Sequence, residues 1–324
     1  MDADKKKLKV LFVSLLLVIC FAAGLTSSAG AATNTEKKQM QLSQGIEASQ
    51  EEGQDVHWIL PGPRELDPKI FGTPDKPLGF EHDIGVPIDK RTTKNNGTEW
   101  NETAFPTGFS DKHAVISGSF ETKMIDKTPF DTKQSKDVAN GVFKFTGPDG
   151  ENEYKVVLKK LIPVGPAHSF FGGVIVDGYL HGTTGYGTRL MPTVYTYGAF
   201  WGVGELYING TLVSDNRLLH VMTTENVRDD NYELMTDSEL PHEGIDTHIM
   251  MPNTKVTPEG PEDSPVPTQY ELSNEQDQPY LHIMYEDTNL EVLDLEEDAP
   301  TTTTGVITLF GLLLIVGAAM MKRR

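Results

Sequence analysis

The chain contains a single cysteine, Cys20, and it falls inside an apolar run near the amino terminus. The remainder therefore has no disulfide, no thiolate metal site and no cysteine nucleophile. A Gly-x-Ser-x-Gly elbow, a His-Glu-x-x-His pair and a Rossmann glycine fingerprint are also missing, so the usual hydrolase and dinucleotide signatures are not met. Between residues 113 and 295 no window keeps a helical period, and no repeat of solenoid or propeller length occurs. Positive charge is scarce. The formal charge is −19, and the two terminal segments hold seven of the 28 Lys and Arg but only Asp2 and Asp4 of the 47 acids, which leaves 21 against 45 in between, or −24. Such a surface repels nucleic acid and anionic lipid, so no nucleic-acid partner is expected; it suits cations, basic partners or plain solvation in a salty medium.

What is present begins at the ends. Lys5, Lys6, Lys7 and Lys9 precede an apolar run from Val10 to Ala23 and the small residues Ala29-Gly30-Ala31, the layout of a secretory signal peptide cut after Ala31. Gly305 to Met321 carries no charge over seventeen residues and is followed by Lys322, Arg323 and Arg324. A helix of that length rises about 25 Å, enough for the hydrocarbon core, and the basic end stays inside. The expected organisation is a signal peptide over 1–31, a tether and Pro-rich irregular region over 32–110, a β domain over 111–295, an acidic Thr-rich stalk over 296–304, a transmembrane helix over 305–321 and a cytoplasmic tail over 322–324. The main domain is thus expected outside the cell on a single-pass membrane anchor. The acidic, Thr-rich lead-in and short span also resemble prokaryotic surface-sorting signals, in which processing replaces the span with another anchor, although no diagnostic tripeptide is present. Three sequons, at Asn96, Asn101 and Asn209, are candidate glycosylation sites in an exported protein.

Residues 33–54 are rich in Gln, Glu and Ser and read as a tether, and Pro61, Pro63, Pro68, Pro74, Pro77, Pro87 and Pro106 then predict loops wrapped on the main domain. From His113 onward short β-type runs alternate with Gly, Pro, Asn and Asp clusters; His113–Met124, Tyr154–Ile162, Gly173–Leu180, Pro192–Trp201, Leu218–Thr223, Ile245–Met251 and Tyr280–Tyr285 are the strongest. Asn209-Gly210, between two such runs, is a two-residue hairpin signal, while Pro252–Pro267 reads as a loop. The fold expected is all-β, a β-sandwich or jelly-roll-like domain with an irregular N-terminal region and terminal hydrophobic helices.

One pattern points to chemistry. His-x-Met occurs three times, at His220/Met222, His248/Met250 and His282/Met284, and on a strand each pair shares one face; around His248 and His282 the opposite face is the apolar one, so these pairs are expected on the polar face beside Asp246 and Glu286, while around His220 both faces are apolar. Imidazole with thioether suits copper, since sulfur favours Cu(I) and nitrogen accepts both oxidation states; another late transition metal is open too. If the three strands are neighbours, the three histidines would converge on one ion, with Asp246 or Glu286 orienting the rings and His181 as a loop ligand. The plain alternative is that Met fills gaps in a β core and His packs beside it, its nitrogens hydrogen-bonded. The segment Pro241-His242-Glu243-Gly244-Ile245-Asp246-Thr247-His248 gathers enough donors for a hydrolytic centre, but along a strand these alternate faces. No catalytic residue is therefore assigned, and whether the chain is an enzyme stays open.

The Gly-rich loop His181-Gly182-Thr183-Thr184-Gly185-Tyr186-Gly187-Thr188 lacks a P-loop lysine and reads as a structural turn. Together with Arg189-Leu190-Met191-Pro192-Thr193 and Ala199-Phe200-Trp201-Gly202-Val203-Gly204, it resembles a set of secreted prokaryotic proteins over roughly residues 165–290. The resemblance implies no activity and transfers no functional residue. Three functions remain in view: an exported, anchored surface protein that binds copper, a structural or adhesive envelope glycoprotein in contact with other envelope components, and an exported hydrolase.

Overall fold

The computed structural model describes residues 44–78, 88–103, 107–127, 136–163, 173–273 and 277–295. The expected signal peptide, stalk and transmembrane helix lie outside these residues. Among the described residues no helix is long and apolar enough to cross a membrane.

The fold is all-β; twelve strands join into one sheet, and two separate two-stranded ribbons, Gly72–Thr73 with Lys76–Pro77 and Arg91–Lys94 with Glu99–Thr103, lie in the Pro-rich region. In chain order the strands of the large sheet are β1 (Gln44–Ile59), β2 (His113–Asp126), β3 (Val138–Thr146), β4 (Glu153–Leu161), β5 (Val174–Leu180), β6 (Val194–Ile208), β7 (Thr211–Thr224), β8 (Asp246–Met251), β9 (Thr254–Thr257), β10 (Gly260–Asp263), β11 (Leu281–Tyr285) and β12 (Asn289–Asp294). Eight of them close on themselves in the order β1-β2-β3-β4-β6-β7-β8-β11 and back to β1, each pair antiparallel. The expected sandwich or jelly roll is therefore a closed barrel instead. Short alternating strands with frequent turns are common to both architectures, and pattern alone does not say whether the first and last strands meet.

Closure depends on β1, which pairs with β2 on one side and β11 on the other. Residues 44–54 of this strand were expected to be tether and 55–59 to belong to the Pro-rich loops. Its strand signal is hidden because the apolar alternation breaks off in the middle: Ile46, Ala48 and Gln50 are buried before the register shifts that flank Gly53, Val56 and Trp58 after them, and the residues between are largely polar and exposed. The Pro252–Pro267 loop likewise contains the β9–β10 hairpin, tied down by the fully buried Arg217, whose guanidinium donates to the Pro252 carbonyl at 3.2 Å and to Ser264 Oγ at 3.1 Å. The Asn209-Gly210 turn is as expected, with φ of 50° and 75° joining β6 to β7.

Inward residues follow period two on every barrel strand: Phe120 and Met124 on β2, Phe143 and Phe145 on β3, Tyr154 and Val156 on β4. An eight-stranded barrel has an interior about wide enough to be filled by its own side chains. Trp58 occupies it, edge-on to Phe145 (5.5 Å) and Tyr154 (5.1 Å). A second apolar cluster lies on the outside of the barrel, where Leu66, Phe71, Trp100 and Phe109 from the Pro-rich region, with Val227 and Tyr232, cover Met222 and Met284. The wrapped loops are thus real. They are pinned by buried cations: Arg91 donates to the carbonyls of Phe71 (3.1 Å) and Leu78 (2.8 Å), Arg228 to those of Tyr232 (2.7 Å) and Ser110 (3.0 Å), and Arg64 to that of Leu190.

Two outcomes follow from this packing. Trp58→Ala is expected to cost about 3–5 kcal/mol, because it empties the barrel, whereas truncating the 71 % exposed Val292 stays within about 0.5 kcal/mol. Urea denaturation of both variants checks this, and equal midpoints would contradict a filled interior. Of the sequons, Asn96 and Asn101 are exposed, but Asn209 donates from Nδ2 to Asn152 Oδ1 at 2.8 Å and accepts from the Glu153 amide at 2.9 Å. Glycopeptide mass spectrometry of the exported protein should find glycan on Asn96 or Asn101 and none on Asn209.

Candidate metal centre

The inward positions of β7, β8 and β11 are Leu219 and Val221, Ile249 and Met251, and Leu281, Ile283 and Tyr285. By alternation, His220 and Met222, His248 and Met250, and His282 and Met284 stand on the outer face. That face was expected to be a polar one. It is buried instead, because the Pro-rich cover lies over it: the three histidines are 3–5 % exposed, Met222 0 % and Met284 1 %.

The three strands are neighbours, β7 beside β8 and β8 beside β11. Register sets His220 opposite Met250 and Met250 opposite His282, and on the next rung Met222 opposite His248 and His248 opposite Met284. The six side chains therefore form a checkerboard, His-Met-His above Met-His-Met. The second rung continues in both directions. Met284 pairs with His57 of β1, and at the far end His181 brings Nε2 to 2.9 Å from Met222 Sδ. The result is a file His57-Met284-His248-Met222-His181 across four strands and a loop. His57 was not singled out from the sequence, and only a correct placement of β1 would have revealed it.

Ring centroids of His248 lie 5.7 Å from those of His220 and 5.3 Å from those of His282, while His181 is 6.4 Å from His220. The rings form a ladder rather than a triangle. Consistent with that, among the described residues no group of three or more His, Cys, Asp or Glu is placed to hold a metal ion. The expected convergence of three imidazoles on one point is thus not found. Along each rung imidazole and thioether alternate from strand to strand, so a donor set drawn from one rung mixes the two.

Nor do Asp246 and Glu286 orient the rings. His220 is held through Nδ1 by the Phe200 carbonyl at 2.9 Å and is stacked on Trp201, with centroids 4.3 Å apart; His282 is held through Nδ1 by the Gly108 carbonyl at 2.7 Å. Donation from Nδ1 leaves the lone pair on Nε2, the arrangement that main-chain carbonyls impose on metal-ligating imidazoles. Nε2 of His282 is buried and has no hydrogen-bond partner. His181 Nδ1 lies 2.9 Å from the Thr188 amide nitrogen and 3.2 Å from the Thr188 carbonyl oxygen, and its Nε2 faces the Met222 sulfur. The Gly-rich loop builds this contact. His181 and Gly182 adopt φ of 63° and 53°, and at Gly187 a Cβ would sit 2.5 Å from the His181 ring, so the loop is a structural turn as expected.

Burial sets the electrostatics. Desolvation pushes His181 and His282 down to about 4, and His248, which also faces its neighbouring rings, well below the ordinary imidazole value. All are neutral at pH 7, the form that binds metal. Asp246 is pushed up to about 8 by burial and then by Glu286, which is itself raised by burial. In the proposed hydrolytic segment His242 bonds Glu225 at 3.0 Å with 61 % of its side chain exposed, while Asp246 and His248 are buried, so no common cleft is formed.

Fold and site define a class: a closed antiparallel barrel carrying an imidazole–thioether face beneath an irregular cover. Comparison with protein-family models, with curated proteins and with solved structures finds no match to this chain.

A buried neutral histidine is a pH liability. The unfolded chain takes up protons near 6.5 and the folded one only near 4, so the stability linked to His282 is complete above 6.5 and falls as pH drops toward 4, by on the order of 3 kcal/mol. Denaturation midpoints of the wild type and His282→Asn, measured from pH 7 to pH 4, should diverge in slope. The variant should show the shallower decline, and parallel curves would mean that the ring is not held neutral.

Proposed function

We propose that this chain is an exported, membrane-anchored β-barrel protein that binds copper, as Cu(I), on the His–Met face of the barrel. The observation that carries the proposal is the checkerboard on β7, β8 and β11. Three imidazoles alternate with three thioethers, two of the rings are fixed through Nδ1 by main-chain carbonyls, and the buried Nε2 of His282 has no hydrogen-bond donor near it. An unpaired buried acceptor costs about 1–3 kcal/mol, and a soft cation would satisfy it without adding a carboxylate. His248 with Met222 and Met284 is the softer rung, and His220 and His282 flank Met250 on the other. The sequence supports export and anchoring through the basic-apolar start, the seventeen-residue uncharged span and the basic end.

The competing reading is an envelope glycoprotein in which the same residues only pack. Copper titration of the full-length protein in detergent, under anaerobic reducing conditions, separates the two. Uptake and a higher melting temperature are expected for the wild type. Uptake should be lost in Met222→Leu/Met250→Leu/Met284→Leu, a volume-conserving change that costs less than about 1.5 kcal/mol per site and so leaves the fold standing. No uptake by the wild type, or unchanged uptake after His220→Ala/His248→Ala/His282→Ala, removes the copper reading.

A further inference from the structure

A buried site needs a way in, and the file has ends of unequal access. Met222, His248 and Met284 are 0–3 % exposed, and His181 is 7 % exposed beneath its own loop. His57 is the member with the greatest opening, with 13 % of its side chain accessible. Beyond it on the outer face stands His113 of β2, half-buried, with its ring centroid 5.0 Å from that of His57. Register explains the proximity, because His57 is opposite the 60 % exposed Val115 and His113 is opposite the neighbouring Ile59. Glu286, 34 % exposed, brings a carboxylate oxygen to 3.6 Å from His57 Nε2. The opening therefore offers, from outside inward, a carboxylate, two imidazoles and then a thioether, in order of increasing softness.

Resting on the copper reading above, we propose that the metal enters the face at this end. His113 is the receiving ligand and passes the ion to His57, from which it moves to Met284 and His248. Each transfer exchanges one neutral donor for another, with a new metal–ligand bond forming as the previous one breaks. No electron moves and the oxidation state stays Cu(I). The direction follows from the end of the path, where His248 stands between the thioethers of Met222 and Met284, soft donors that hold Cu(I) in preference to the carboxylate at the opening. Two imidazoles without a third strong donor form an exchange point rather than a store, in keeping with the absence of any three-ligand His, Asp or Glu group among the described residues. The net charge of −24 between the terminal segments favours cations around the molecule as a whole, while the Arg228 guanidinium stands 4.9 Å from the Tyr232 ring behind the opening. Tyr232 restricts this passage. Its ring stacks on His57 at 3.7 Å and approaches His113 at 4.3 Å, and its φ of 68° is a strained value for a bulky residue.

The test is the rate of Cu(I) transfer from a bis-chelator complex to the full-length detergent-solubilised protein, read beside the final copper content. His113→Ala should slow transfer by about tenfold or more while leaving the end-point stoichiometry and the melting shift unchanged. His113→Gln, closer in size, serves as the second variant should the alanine form fold poorly, and the same result is expected of it. An unchanged rate in a variant that still loads overturns the entrance and leaves the copper reading intact. Loss of copper from the end point overturns it as well, because His113 would then be a holding ligand. If the wild type takes up no copper, both proposals fall.

Discussion

Everything in this molecule depends on one strand pairing on both sides. β1 bonds β2 along one edge and β11 along the other, and without it the remaining barrel strands would be an open sheet with two long unpaired edges. Closure gives the chain an interior, filled around Trp58, and it also gives the sheet an outside. The outer side of β7, β8 and β11 would expose methionine to water if left bare. The Pro-rich segment supplies its cover, held by Arg64, Arg91 and Arg228 through bonds to main-chain carbonyls.

Covering the outer face creates the chemical environment of the candidate site. Histidines on a solvated barrel surface would titrate near their ordinary value and exchange hydrogen bonds with water. Beneath the cover they lose that hydration, remain neutral, and depend on protein groups to fix their tautomers. Asp246 and Glu286, one rung along the same strands, respond to the same burial in the opposite sense. A single physical cause, removal of water, thus explains the neutral imidazoles, the raised carboxyls and the polar atoms left without partners.

The local chemistry of β2 to β8 and of β11 was legible in the residues, whereas the β9–β10 hairpin was hidden by the prolines of 252–267. Phe120, Phe143 and Tyr154 alternate with polar neighbours at a spacing of two, and Asn209-Gly210 marks its hairpin, so the strands and the shared face of each His-x-Met pair followed from pattern. β1 was not legible, since its two inward sets, Ile46 with Ala48 and Val56 with Trp58, are separated by the polar, largely exposed residues 51–55, where the register shifts on both sides of Gly53. With β1 unrecognised, neither barrel closure nor the role of His57 could be reached. The polar setting expected for His248 and His282 failed for a related reason, because the segment covering them comes from residues far away in the chain.

Composition and local order were sufficient for the absence of thiol chemistry, the acidic surface, the β class and the pairing of each imidazole with a thioether two residues on. These properties reside in single residues or in neighbours along the backbone. Which strands became neighbours, that the rings form a ladder rather than a triangle, and that the whole face is dry came only from the closed sheet and its cover. Strand registers and burial are relations between segments as far apart as His57 and Met284, and a linear pattern carries no information about distances that only hydrogen-bond pairing across the sheet creates.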